Sequence, residues 1–200
     1  MTIEQNTRLG AQERRTQLLE TARETFGEKG FTATSMNDIA EAAGVTKPVL
    51  YQHFESKHDL FHQLLTETAD ELSSRLSSAV LTATSGRQKV EDAVHTYVAF
   101  FDENPHRFRV LFGEGVRSDP VFSEELRALD SSFHSFTAAH IDIEDLDSEH
   151  RLVLGQAISG QLEPAVDHWI RGGRPMSAND LAALLARFAW RGLRGGSGTQ

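Results

Sequence analysis

Apolar residues recur along this chain at the three- and four-residue spacing of helices, and nowhere alternate convincingly as in strands. Leu18, Ala22 and Phe26 fall every four residues in QERRTQLLETARETFGEKG, and Gly30 stands where a helix C-cap belongs. In SMNDIAEAAG, Ser35 and Asp38 have capping-box spacing, Ile39, Ala40 and Ala43 form a small apolar face, and Gly44 stops the helix. In VTKPVLYQHF, Thr46 is placed to cap and Pro48 lies in the first turn, where its missing N–H costs nothing. Val45 and Leu50 are expected to face inward, with Phe54 closing the segment. Ser56 and Asp59 repeat the capping spacing and open a long helix striped by Leu60, Leu64, Leu72 and Leu76.

Beyond Ser85 the pattern stays helical. Val90, Val94, Tyr97, Val98 and Phe101 mark one helix, which Asn104-Pro105 ends. HRFRVLFGEG forms a short aromatic helix closed by glycines, and another runs from Asp119-Pro120 through Phe136. After the acidic link IDIEDLDSE comes a long helix in which Pro164 predicts a kink, and Ser177 and Asp180 open the last one. The fold expected is all-α with about nine helices. It divides into residues 1–56, residues 57–194 and a flexible GGSGTQ tail at 195–200.

Composition narrows the chemistry. The chain has 200 residues, 39% hydrophobic and 24% charged, and no cysteine, which excludes disulfide scaffolds, Cys-based zinc sites and thiol catalysis. Its apolar runs, such as Leu181 to Ala186, fall far short of a membrane span, and the N-terminus lacks a signal-peptide core. A cytoplasmic location without a membrane partner is therefore expected. The net charge of −9 argues against nucleic acid until it is divided. Residues 1–60 carry 7 Lys and Arg against 9 Asp and Glu, so most of the acidity lies downstream.

The AAGVT turn between two short helices has the form of a helix-turn-helix. In that motif the second helix enters the major groove, while flanking groups hold phosphates. Thr46, Lys47, Val49, Tyr51, Gln52 and His53 fall on or near its exposed side. Lys57 opens the next helix within reach of a phosphate, Ser35 and the amides behind it offer an anion position, and Arg14 and Arg15 extend from the first helix. The alternative is a structural hairpin with Lys47 and Tyr51 merely solvated. Nothing supplies a nucleophile elbow, a P-loop or a paired-carboxylate site, so no enzyme is expected. His58 and His62 lie one helical turn apart, near Glu55 and Asp59, and a metal sensor using them is the alternative of another class.

GVTKPVLYQHFESKHDLF, some 30 residues after the start of an ARETFGEKGF-type helix, resembles the signature of TetR-type (tetracycline-repressor-like) transcriptional regulators. The resemblance implies a homodimer with a three-helix DNA-binding domain, a helical effector-binding and dimerisation domain, and double-stranded DNA as partner, bound at a palindromic operator. It places Lys47, Val49, Tyr51, His53 and Lys57 at DNA-contacting positions, with Ser35 and Asn37 on the preceding helix. Val49 departs from the small hydroxyl or glycine usual there, which favours an apolar contact such as a thymine methyl.

YVAFFDENPHRFRVLFGEG and HWIRGGRPMSANDLAALLARFAWRGL resemble segments of actinobacterial regulators of fatty-acid synthesis that respond to long-chain acyl-CoA. No cofactor is implied, only an effector. Seven phenylalanines crowd into residues 100–136, where they either line an apolar tunnel or fill a plain core. The candidate lining is Leu65, Phe101, Phe108, Phe112, Phe133, Phe136 and Trp169, with Arg107, Arg109 or Arg117 for a coenzyme A phosphate. The rival effector is a small hydrophobic or cationic compound controlling drug efflux. Dimerisation is assigned to the last two helices through Gly155, Ala157, Ser159, Gly160, Ala182, Leu185, Ala189 and Gly192.

Overall fold

The computed structural model describes residues 10–141, 143 and 146–195, and every regular element among them is helical. The order is α1 (Ala11–Lys29), α2 (Met36–Ala42), α3 (Lys47–Tyr51), α4 (Lys57–Leu81), α5 (Gly86–Glu103), α6 (His106–Phe112), α7 (Glu114–Arg117), α8 (Ser123–Ala139), α9 (Ser148–Arg171) and α10 (Ala178–Gly195). The helix added to the expected set is α7, a four-residue turn set off from α6 by Gly113. The expected tail lies almost wholly outside the described residues.

The caps act where their spacing placed them. Ser35, Ser56 and Ser85 each accept a bond from the amide three residues on, and Asp147 does the same for α9. Gly30 (φ 82°) and Gly44 (φ 64°) take the left-handed backbone that ends α1 and turns the chain between α2 and α3. Thr46 holds the N-cap position of α3, but its hydroxyl makes no capping bond. α9 continues through Pro164, whose ring is exposed.

The core is continuous across the boundary expected after residue 56. Leu18, Phe26, Leu50 and Phe54 join Leu60, Leu64, Phe101 and Val110 in one buried cluster that reaches Ala186. Phe26, Phe31, Phe61 and Phe122 cluster aromatically: the Phe26–Phe61 and Phe31–Phe122 rings meet edge-on at 5.0 and 5.4 Å. α10 packs along α5, α8 along α9, and α6 against α1.

This packing engages within the chain five of the eight residues assigned to dimerisation. Gly155 is buried because α8 crosses there; a Cβ on it would stand 2.6 Å from the His134 carbonyl oxygen. Ser159 bonds Thr137 at 3.0 Å, and Ala182, Leu185 and Ala189 are buried within the chain. Ala157, Gly160 and Gly192 of that set are exposed, beside Val153 and Pro164 on α9 and Leu184 and Phe188 on α10. Phe188 is 67% exposed, a large apolar side chain left without cover.

Candidate nucleic-acid interface and ligand cavity

α3 is short because Pro48 starts it and Phe54, buried a turn later, anchors its end. Leu50 is fully buried, so the opposite side of the helix is turned outward. Thr46, Lys47 and Gln52 are exposed, Tyr51 is 45% exposed, and Val49 and His53 are half-buried. The Lys47 ammonium lies 5.8 Å from the centroid of the Tyr51 ring, so the two side chains share one patch. Asn37 is exposed on α2 and donates to Glu41 at 2.7 Å.

Other predicted contacts already have partners within the chain. The Lys57 ammonium donates to the Phe31 carbonyl oxygen at 3.0 Å and lies over the Phe31 ring. Arg15 bonds Gln63 and lies over Phe54, and among the described residues Arg14 is held by Gln17. The Ser35 hydroxyl and amide are both taken by the Asp38 carboxylate, so the expected anion position is filled from within. The Lys29 ammonium beside Asp38, followed by the bonds from Ser35, holds that carboxyl well below the usual carboxylate range. The ion pair of 2.6 Å ties α1 to α2.

His58 and His62 do not converge. His58 pairs with Asp119 at 3.1 Å and stacks on Phe122, while His62 approaches Glu125 at 3.4 Å. Asp59 instead accepts from the Glu55 amide and from Gln63. No group of three or more potential ligands for a metal ion occurs among the described residues.

The α1–α6 crossing links these helices to the rest. A Cβ on Gly27 would overlap the His106 ring, and one on Gly115 would stand 2.8 Å from the Thr32 hydroxyl. Arg109 donates to the Glu28 carbonyl oxygen at 2.9 Å across the same seam.

A cavity of about 350 Å³ lies between α4, α5, α8 and α9. Its walls are largely apolar: Leu76, Val80, Val90, Ala93, Val94, Ile158 and Leu162, with Phe112, Phe133 and Phe136 from the predicted set. The other four predicted lining residues lie off it. Leu65 and Phe101 are fully buried in the core, and Phe108 packs edge-on against Phe101 at 5.2 Å. Trp169 fastens the α9–α10 turn, its indole donating to the Met176 carbonyl oxygen at 2.9 Å.

The three arginines predicted for a phosphate are engaged as well. Arg107 pairs with Glu71 and Glu103 and covers the Phe100 ring, Arg109 is bound to Glu28, and Arg117 bridges Asp130 and Glu163. Tyr97, Asp130 and Glu163 are cavity residues absent from the predicted set. Tyr97 is visible in the sequence as one polar tip in the apolar stripe of α5. Burial pushes its hydroxyl far above the ordinary phenol range, and nearby Glu163 adds to the effect.

A capped helix-turn-helix with an outward Lys-Tyr patch, joined through a packed seam to a helical body with an apolar cavity between its helices, defines a DNA-binding regulator. The model for bacterial regulatory proteins of the tetR family matches residues 18–64. The HTH-type transcriptional activator FasR of Mycolicibacterium smegmatis is 33% identical over 190 residues, covering 93% of this chain and 85% of that protein. The chain belongs to the TetR family of transcriptional regulators, and it is not an enzyme. Among solved structures, a TetR-like regulator from Rhodococcus sp. RHA1 superposes with a TM-score of 0.80 at 26% identity, covering 94% of this chain and 100% of that one. FadR of Bacillus subtilis, solved in complex with stearoyl-CoA, shares the fold at a TM-score of 0.76 and 16% identity, covering 87% of this chain and 96% of that one. No helix among the described residues is long and apolar enough to cross a membrane.

Proposed function

We propose that this regulator is a homodimer whose operator affinity is set by a long-chain acyl-CoA or similar apolar ligand, and that it controls genes of lipid metabolism. The observation that carries this reading is the largely apolar cavity of about 350 Å³ between α4, α5, α8 and α9. The relationship to FasR and the stearoyl-CoA complex of a protein of the same fold support it. Dimerisation is assigned to the exposed faces of α9 and α10, which place Phe188 and Leu184 against a second copy across a two-fold axis. Base contacts are assigned to Thr46, Lys47, Val49, Tyr51, Gln52 and His53. Asn37 and Arg14 flank them, and Lys57, Arg15 and Ser35 shape the interface through their internal bonds.

The ligand acts by preferring one packing of the α5–α8–α9 body. α6 and α7 carry that preference through the Gly27–His106 and Gly115–Thr32 contacts to α1 and the turn before α2. Denaturing mass spectrometry of the purified protein tests the ligand assignment, followed by direct binding of acyl-CoAs of graded chain length. A copurifying acyl compound, or saturable binding that strengthens with chain length, is expected. Absence of binding across the whole series would contradict the assignment.

A further inference from the structure

One end of the cavity is not apolar. Tyr97 is 8% exposed, lines the cavity, and its hydroxyl has no hydrogen-bond partner among the described residues. Beside it stand Asp130 and Glu163, which share Arg117 at 3.2 and 3.1 Å. Desolvation raises the Glu163 carboxyl above its ordinary range, which marks it as partly withdrawn from water. The Tyr97 hydroxyl faces the cavity with no side-chain or backbone partner among the described residues, so a ligand that displaces water from it must bring a polar atom or leave it unsatisfied.

Along α5 the cavity lining runs from Lys89 to Tyr97, eight residues or about 12 Å at about 1.5 Å per residue. Lys89 stands at the first of these positions. Two carboxylates against one guanidinium leave the Tyr97 end net negative, so an anionic head group is repelled there and suits the Lys89 end. At about 30 Å³ per water-sized group, the space of about 350 Å³ has the volume of about a dozen such groups.

We infer that the ligand carries a hydroxyl at the end of its hydrocarbon chain remote from its acidic head, accepting from the Tyr97 hydroxyl and donating to the Glu163 carboxylate. This inference rests on the acyl-ligand reading above and adds to it a terminal oxygen. A carboxylate at the same position would meet Asp130 and Glu163 unfavourably, and a plain methyl terminus would leave Tyr97 unsatisfied.

The test compares dodecanoyl-CoA with 12-hydroxydodecanoyl-CoA, by direct binding to the full-length wild-type protein and to Tyr97→Phe. Tyr97→Phe keeps the ring and its edge contact with Phe101, so the fold is preserved. The wild type is expected to bind the hydroxylated chain about fivefold to tenfold more tightly, and the variant to lose most of that preference. Glu163→Gln is expected to reduce it as well. Equal binding of both compounds by the wild type, or an unchanged preference in Tyr97→Phe, would overturn the hydroxyl inference while leaving the acyl reading standing. Failure of both compounds to bind would overturn the two together.

Discussion

At the scale of single residues, Gly27 sets how closely α1 can approach α6. Its missing side chain admits the His106 ring, and Gly27→Ala forces one of the two helices to shift. The expected cost is about 1–3 kcal/mol, seen as a lower urea midpoint. An unchanged midpoint and unchanged operator binding would show that the seam tolerates displacement. On the outward patch, Tyr51→Ala removes a ring that is 45% exposed and outside the core, so operator affinity should fall in gel shifts while thermal stability holds. Lys47→Ala should weaken binding and flatten its salt dependence by about 0.9 for each phosphate left without its counter-charge. The charges of Lys57 and Arg15 are legible in the sequence, but their partners are not. Only the fold brings the Phe31 carbonyl and the Gln63 amide to them from distant positions.

At the scale of elements, the starts and stops of helices can be read because caps and glycines act locally. Ser35, Ser56 and Gly30 show this directly. Which face meets which neighbour is a tertiary matter, and there the sequence misleads. Gly155 and Ala189 look like a dimer face because small residues suit any close approach, within a chain or between chains. The phenylalanine cluster is equally ambiguous: Phe112, Phe133 and Phe136 reach the cavity, whereas Phe101 and Phe108 fill the core beside it.

The α1–α2 junction carries a pH signature. Asp38 is held ionised chiefly by Lys29, so its contribution to stability is fully present above the ordinary Asp range, about pH 4, and is lost as acid drives the pH below it. The stability gap between wild type and Asp38→Asn should therefore be wider at about pH 7 than at about pH 3 in urea unfolding. A gap that stays constant would remove this ion pair from the acid response.

At the scale of the whole molecule, net acidity coexists with DNA binding because the footprint rests on a few cations rather than a basic field. Of the four cations around the helix-turn-helix, Arg15 and Lys57 are engaged by Gln63 and the Phe31 carbonyl, while among the described residues Arg14 bonds Gln17 a turn away and Lys47 lies beside Tyr51. If α9 and α10 form the dimer interface, Phe188→Glu should yield a monomer by light scattering and lose operator binding with its helix content unchanged. A dimer that survives this charge would relocate the interface.

Occupancy of the α4–α5–α8–α9 cavity must be coupled to DNA affinity if this protein is a ligand-responsive regulator. The most direct measurement is fluorescence anisotropy on an operator selected from genomic DNA, with dodecanoyl-CoA titrated into wild type and into Ala93→Phe, which fills the cavity from α5. The wild type should change operator affinity by about 5- to 150-fold, the range of typical coupling energies, and the filled variant should not respond. A wild type that ignores the ligand, or a filled variant that responds equally, would contradict that coupling.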